Sequence, residues 1–299
     1  VRLLNIDNRL HVEAADGAAD VEKASSGLFA TDPQAIFQRW DEFVEWHRSH
    51  AGDIAAQVRR RDERGLIGPP APRPPQVFAV GLNYDQHAAE SGFPRPQQPV
   101  IFTKFVSSIT GPVSDVTLPD GDVDWEVELV VVLGKGGRSI PAERAWSHVA
   151  GLTVGQDISE RRRQHSGPAP QFSLAKSHEG FSPIGPVLVT PDEFADPDDL
   201  ELGATIDGHQ VQHGRTSDLI FPVPVLIEEI SRIVELYPGD VIFTGTPQGI
   251  GAGRVPPRFL KPGEVLRSYV TGIGELVQSF TTPDASVRDG AGAAAAARS

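Results

Sequence analysis

Apolar positions along the chain fall into short runs punctuated by Gly and Pro, with a few longer stretches at helical spacing. The short runs predict strands at Val77–Val80, Val100–Phe105, Glu126–Leu133, Thr153–Asp157, Val187–Val189, Thr205–Ile206, Val241–Phe243 and Leu276–Phe280. From Arg2 to about Leu28 the alternation is looser, and the turn signals Asp7-Asn8 and Asp16-Gly17 predict strands joined by hairpins. A helix follows, with Asp32 as N-cap, Pro33 at the first position and Ile36, Trp40, Phe43 and Val44 on one face. Further helices are predicted over Asp53–Arg64, Ala142–Val149 and Val225–Leu236, the last with Leu226, Ile230, Ile233 and Val234 inward until Pro238-Gly239 stops it. Gly68-Pro69-Pro70-Ala71-Pro72-Arg73-Pro74-Pro75 cannot continue a helix and reads as an extended linker. The pattern predicts a strand-rich α+β fold. A small N-terminal α+β domain is expected in residues 1–72, a larger domain in 76–281, and a disordered tail of Ala, Gly and polar residues in 282–299.

Composition narrows the chemistry. The 299 residues include no Cys, which excludes thiol nucleophiles, disulfide scaffolds and thiolate-held metals, so any metal must have O or N ligands. With 27 Lys+Arg against 40 Asp+Glu, the net charge of −13 argues against nucleic acid and anionic membranes as partners. No apolar run approaches the ~18 residues of a membrane span, and Val1-Arg2-Leu3-Leu4-Asn5-Ile6-Asp7 lacks a signal-peptide core, so a cytoplasmic protein is expected. Gly134-Lys135-Gly136-Gly137 and Gly249-Ile250-Gly251-Ala252-Gly253 lack the context of phosphate-binding loops, the second running into Pro256-Pro257 rather than a helix.

Three segments carry candidate chemistry. In Asp124-Trp125-Glu126-Val127-Glu128-Leu129, a strand places the Glu126 and Glu128 carboxylates on one face. Like charges side by side destabilise a strand, so that face is either solvated or neutralised by a bound cation. Asp157 ends the next apolar strand, as a turn residue or as a third ligand. Three carboxylates would make an all-oxygen site suited to Mg²⁺, Mn²⁺ or Ca²⁺ rather than Zn²⁺. Upstream, Gly81-Leu82-Asn83-Tyr84-Asp85-Gln86-His87-Ala88-Ala89-Glu90 passes from strand to helix, and His87 and Glu90 stand three apart, as a surface pair or as an oriented base.

Taken together, Gly81-Leu82-Asn83-Tyr84 with His87 and Glu90, Glu126-x-Glu128, Asp157, Lys176 and Thr244-Gly245-Thr246-Pro247-Gln248-Gly249-Ile250-Gly251 strongly resemble the fumarylacetoacetate hydrolase family from about Gln76 to Phe280. The resemblance implies a mixed β-sheet roll or barrel as the catalytic domain, preceded by a small N-terminal domain. It implies Glu126, Glu128 and Asp157 as ligands of Mg²⁺ or Mn²⁺, His87 and Glu90 as a water-activating dyad, and Lys176 as the cation facing the reacting carbonyl. Arg161, Gln164, Tyr84 and Thr246 match positions expected to bind substrate. The activity implied first is hydrolysis of a C–C bond in 2,4-diketo acids, acylpyruvate-like or derived from sugar acids. Oxaloacetate decarboxylation or 2-oxo-acid tautomerisation at the same site is the alternative, followed by a non-catalytic metal-binding homologue. A small 2-oxo acid is the expected partner, and a homodimer the expected assembly.

Overall fold

The computed structural model describes residues 1–14, 17–59 and 66–283. Its centre is the strand Val127–Leu133, buried at all seven positions, as a Val- and Leu-rich run must be when both faces of its sheet are covered. It pairs antiparallel with Val149–Gln156 on one side and Val241–Phe243 on the other. Beyond Val241–Phe243 come the parallel strand Val77–Gly81 and then Val100–Thr103 at the edge. In the other direction the sheet runs through Ser182–Val189 to Arg2–Ile6, Arg9–Ala14, Gly17–Asp20 and Val58–Arg59. A second sheet orders His209–Arg215, Glu201–Ile206, Val265–Val270, Gly274–Thr281 and Val113–Thr117.

Alternation along the central strand sends successive side chains into two different cores. Val127, Leu129 and Val131 pack with Leu202, Leu266 and Leu276 toward the second sheet. Val130 and Val132 pack with Phe243 and with Phe29, Trp40 and Phe43 from the N-terminal segment. Each such buried side chain contributes roughly 1.5–3 kcal/mol relative to exposure, so neither face could be left open. Glu126 and Glu128 are in phase with Val130 and Val132, at the end of the strand where that core stops.

The segment before the linker is thus joined to the rest of the molecule by sheet and core. Arg2–Ile6 adds directly to Ser182–Val189, with Arg2 opposite Val189. The Asp7-Asn8 hairpin forms as expected, both residues at positive φ (52° and 60°), the backbone a two-residue turn of this kind requires. The first predicted helix divides instead into a 3₁₀ turn, Ala35–Arg39, and an α-helix, Trp40–Ser49. Asp32 explains the split: its side chain accepts from Gln34 N at 3.0 Å while its carbonyl accepts from Ala35 N, which starts the tighter coil.

The second predicted helix is shorter than expected, Ala51–Gln57, because Val58–Arg59 leaves it to pair with Gly17–Asp20. The rest of that expected helix, residues 60–64, lies outside the described residues, as do Asp16 of the second turn signal and 284–299 of the expected tail. The fourth predicted helix spans Val223–Ile233, stopping before Val234; beyond it Leu236 N is drawn off to Gly137 O. No described helix is long and apolar enough to cross a membrane.

Candidate active site

Strand register assembles the carboxylates. Val127 lies opposite Gln156, so Asp157, one residue past the strand, meets Glu126, one residue before its own: Asp157 N donates to Glu126 O at 2.9 Å. The Gln156 side chain adds a bond from Glu126 N at 2.8 Å. Glu126, Glu128 and Asp157 are buried and offer carboxylate oxygens that all lie within 4.8 Å of one another.

Three cations are woven among these acids. Lys176 Nζ donates to Glu126 Oε2 and Asp157 Oδ2, both at 2.6 Å. Lys104 Nζ donates to Asp157 Oδ1 at 2.5 Å and to the carbonyl of Lys176. Arg161 reaches Glu126 Oε1 at 2.7 Å with Nη2 and Asp124 Oδ2 at 2.9 Å with Nε.

The electrostatics follow from this wiring. Burial alone would raise Glu126, but Lys176 and Arg161 outweigh it and hold the carboxyl at about 2. Lys176 is held above its ordinary value because Asp157 and Glu126 overcome its desolvation, so it is a fixed ammonium and not a base. For Lys104 burial wins over Asp157 and the shift is downward. Glu128 is pushed well above the usual carboxylate range by burial first and by Asp157 and Glu126 next. Its hydrogen bond comes from Gly245 N at 2.7 Å, and among the described residues no cationic side chain is paired with it. A buried carboxyl lacking a cation, converging with two others in an all-oxygen set, is the donor chemistry of a hard divalent ion. Glu126, Glu128 and Asp157 therefore fit Mg²⁺ or Mn²⁺, and they are the residues that would hold it.

The dyad stands across a cleft of about 230 Å³, whose wall includes His87, Glu90, Glu126, Arg161, Gln164 and Lys176. His87 and Glu90 lie on the helix Asp85–Glu90, one turn apart, with His87 Nδ1 3.0 Å from Glu90 Oε1. Because an ionised carboxylate can only accept, Nδ1 carries the proton and Nε2 is left as the basic nitrogen. Glu90 is fixed in turn by Gly249 N, 2.9 Å from Oε2. Arg161 and Gln164 come from a four-residue helix capped by Glu160, whose carboxylate accepts from Arg162 N and Arg163 N. With its oxygen taken by Arg161 Nη1 at 2.9 Å, Gln164 keeps its amide nitrogen as a donor.

Two residues expected at the substrate, Tyr84 and Thr246, are buried and are not part of the cleft wall. Tyr84 is buried and does not line the cleft; desolvation, and then Glu128, push its phenol upward. Its backbone forms an antiparallel bridge to Leu219. Thr246 is buried too, donating to Val127 O at 2.9 Å and accepting from Gln212 Nε2 at 2.8 Å, so its hydroxyl braces the strand that carries the acids. Two residues of the site went unrecognised in the sequence, Lys104 and Asp124. Lys104 ends an apolar strand as Lys176 follows a helix, and nothing local marks its partners. Asp124 precedes Glu126 by two, a spacing that could have raised it as a third acid in line with Glu126 and Glu128.

Comparison with known proteins agrees with this geometry. The family model described as fumarylacetoacetate (FAA) hydrolase, C-terminal, matches residues 76–281. The chain belongs to the fumarylacetoacetate hydrolase family, and it is an enzyme of that family, whose members act on keto acids. A candidate HpcE protein from Mycobacterium smegmatis is 64% identical, with a TM-score of 0.90 over 95% of this chain and 100% of that one. Maleylpyruvate hydrolase from Sphingobium sp. SYK-6, in complex with manganese(II) and pyruvate, is 26% identical, with a TM-score of 0.80 over 95% of this chain and 100% of its own. Among curated relatives, human mitochondrial oxaloacetate tautomerase FAHD2A is 45% identical over 75% of this chain and 72% of its own.

Proposed function

We propose that this chain is a divalent-metal-dependent tautomerase of a small 2-oxo dicarboxylic acid, with oxaloacetate as the first substrate to test. The observation that carries this reading is the oriented His87–Glu90 dyad, which shares one cleft with the Glu126 acid cluster and the Lys176 ammonium. The names of curated relatives at 43–45% identity, human and bovine, point the same way. A cavity of about 230 Å³ lies below the ~300–1,000 Å³ of pockets for drug-sized ligands, which suits a compact metabolite.

When bound by Glu126, Glu128 and Asp157, the metal supplies Lewis-acid polarisation of a 2-oxo acid. The chain's own groups do the rest. His87 Nε2 takes a proton from the carbon next to the ketone; that C–H bond breaks, its electron pair forms the C=C bond, and the ketone oxygen becomes an enolate. The same proton, delivered to that oxygen, gives the enol, and the reverse sequence restores the ketone. Glu90 stabilises the imidazolium formed in between. Lys176, a permanent cation, stabilises the developing negative oxygen, and Arg161 with Gln164 orients the carboxylate.

Mixing the enol form of oxaloacetate with enzyme and Mg²⁺ and following the loss of enol absorbance tests the reading. Wild type accelerates the decay and His87→Ala does not; equal rates for the two would sink the assignment. Hydrolysis of a C–C bond in 2,4-diketo acids stands as the second reading. It is favoured by the likeness to maleylpyruvate hydrolase and by a dyad equally able to activate water. Release of two acids from an acylpyruvate, seen by NMR, would select it.

A further inference from the structure

The glycine loop Gly249–Gly253 is part of the cleft wall, through Ile250, Ala252 and Gly253, yet it carries no functional side chain. What holds it in place is the dipeptide before Glu126. Asp124 is fully buried and accepts from Gly251 N at 2.7 Å through Oδ1 and from Ala252 N at 2.9 Å through Oδ2. Trp125 Nε1 donates to Gly249 O at 3.2 Å. Gly251 has no room for a side chain in this seat: a Cβ there would stand 1.9 Å from Arg258 O and 2.7 Å from Asp124 Oδ1.

From this one loop the site is tied at two ends. Gly249 N holds Glu90, the carboxylate that orients His87. The same Asp124 carboxylate that holds the loop also accepts from Arg161, at 2.9 Å from Nε and 2.8 Å from Nη2. Arg161 could otherwise turn wholly onto Glu126, its other acid at 2.7 Å, and would then draw charge from the metal-ligand set instead of presenting its edge to the cleft.

We propose that Asp124 is a positioning residue that locks the substrate-orienting Arg161 and the Glu90–His87 dyad into a single frame, so that the 2-oxo acid is anchored in register with the base. Asp124 touches neither substrate nor reacting atoms. Its effect passes through Arg161 on one side and through Gly251 and Ala252 on the other. The proposal rests on the functional reading above for the identity of the substrate, but not for the coupling itself.

The test measures three quantities on Asp124→Asn, Arg161→Lys and the double variant: steady-state turnover of oxaloacetate, Mg²⁺ affinity by calorimetry, and Mg²⁺-dependent binding of oxalate, a non-reacting mimic. Loss of a charge-assisted hydrogen bond predicts KM and the oxalate Kd raised roughly 10–100-fold. The Mg²⁺ affinity should fall less than oxalate binding does, because Asp124 is not among the ligands that the donor set offers and reaches Glu126 only through Arg161. The double variant should lose less than the sum of the two single losses, because the Asp124–Arg161 contact is removed in both. Additive losses, an unchanged KM, or a fall in Mg²⁺ affinity matching the rise in KM would overturn the proposal. If Asp124→Asn does not fold, Arg161→Lys decides alone: it keeps the charge but loses the fork, so an unchanged oxalate Kd overturns the coupling. Wild type inactive on every 2-oxo acid, with oxalate binding still weakened in the variants, would remove the functional reading and leave the coupling standing.

Discussion

The acid cluster and the dyad face each other across one cleft but are built in opposite ways. Asp124, Glu126 and Asp157 are buried at strand ends and bound to Lys104, Lys176 and Arg161 through contacts of 2.5–2.9 Å. His87 and Glu90 sit on a six-residue helix, joined to each other and, through Glu90, to one loop N–H group. The first region is a charge lattice in which removing any acid takes a partner from a cation in a desolvated interior. The second is held lightly enough for a proton to come and go. A cation-binding base has to be stiff, because geometry sets its affinity, whereas a proton carrier needs orientation and little else.

The sharpest way to break this contrast is at Glu126. Glu126→Ala leaves Lys176 and Arg161 without a shared partner, and breaking a buried ion pair costs about 3–5 kcal/mol. Denaturant unfolding should show a loss of that size, and calorimetry should show no Mg²⁺ binding; a stable variant that still binds metal would mean the lattice is not one. His87→Ala should instead cost turnover alone, about 10²–10⁴-fold, with melting temperature and Mg²⁺ affinity unchanged. Chelation comes next: EDTA should abolish activity and lower the melting temperature, since Mg²⁺ at a hundred times its Kd stabilises by about 2.7 kcal/mol. Adding back Mg²⁺ or Mn²⁺ should restore both.

The smallest effect compares two buried carboxyls. Glu126, flanked by cations, is held at about 2; Asp240, which has none among the described residues, is pushed by burial up to about 6 despite bonds from Tyr237 N and Gln76 Nε2. The signs are opposite. Glu126 contributes stability above its unfolded value near 4.3, lost as pH falls toward about 2. Asp240 keeps its proton longer when folded, so its contribution is complete below about 3.9 and is lost as pH rises through about 6. Asp240→Asn should flatten the stability profile between those two values, measured by urea unfolding at stepped pH, and an unchanged slope would show that the burial shift is absent.

Legibility in the sequence followed the distance between partners. His87 with Glu90 and Glu126 with Glu128 were readable because their spacing is that of one helical turn and of one strand pleat. Asp157 stood open as a turn residue or a third ligand until the resemblance favoured the ligand, and the register of Val127 with Gln156 is what brings it to the other two. Tyr84 and Thr246 were credited with substrate contact on their place in a motif; both are buried and outside the cleft wall. Lys104 was missed because its partners lie 53 and 72 residues away, and Asp124 because its loop partners lie 127 and 128 residues on. The hairpin at Asp7-Asn8 was plain, since a turn is local. That its strands would extend the central sheet was not, since Arg2 meets Val189 only in three dimensions.

What the sequence determined by itself is therefore the inventory: strand-rich architecture, an oxygen-only ligand set, a histidine paired with an acid, and the family. These rest on side-chain chemistry, on spacings of two to four residues that the backbone converts directly into shared faces, and, for the family, on a resemblance of motifs spread from about Gln76 to Phe280. Which acids receive a cation, and so which stay charged, was settled by tertiary structure alone. Charge in a desolvated interior depends on neighbours within a few ångströms, and those neighbours come from every part of the chain.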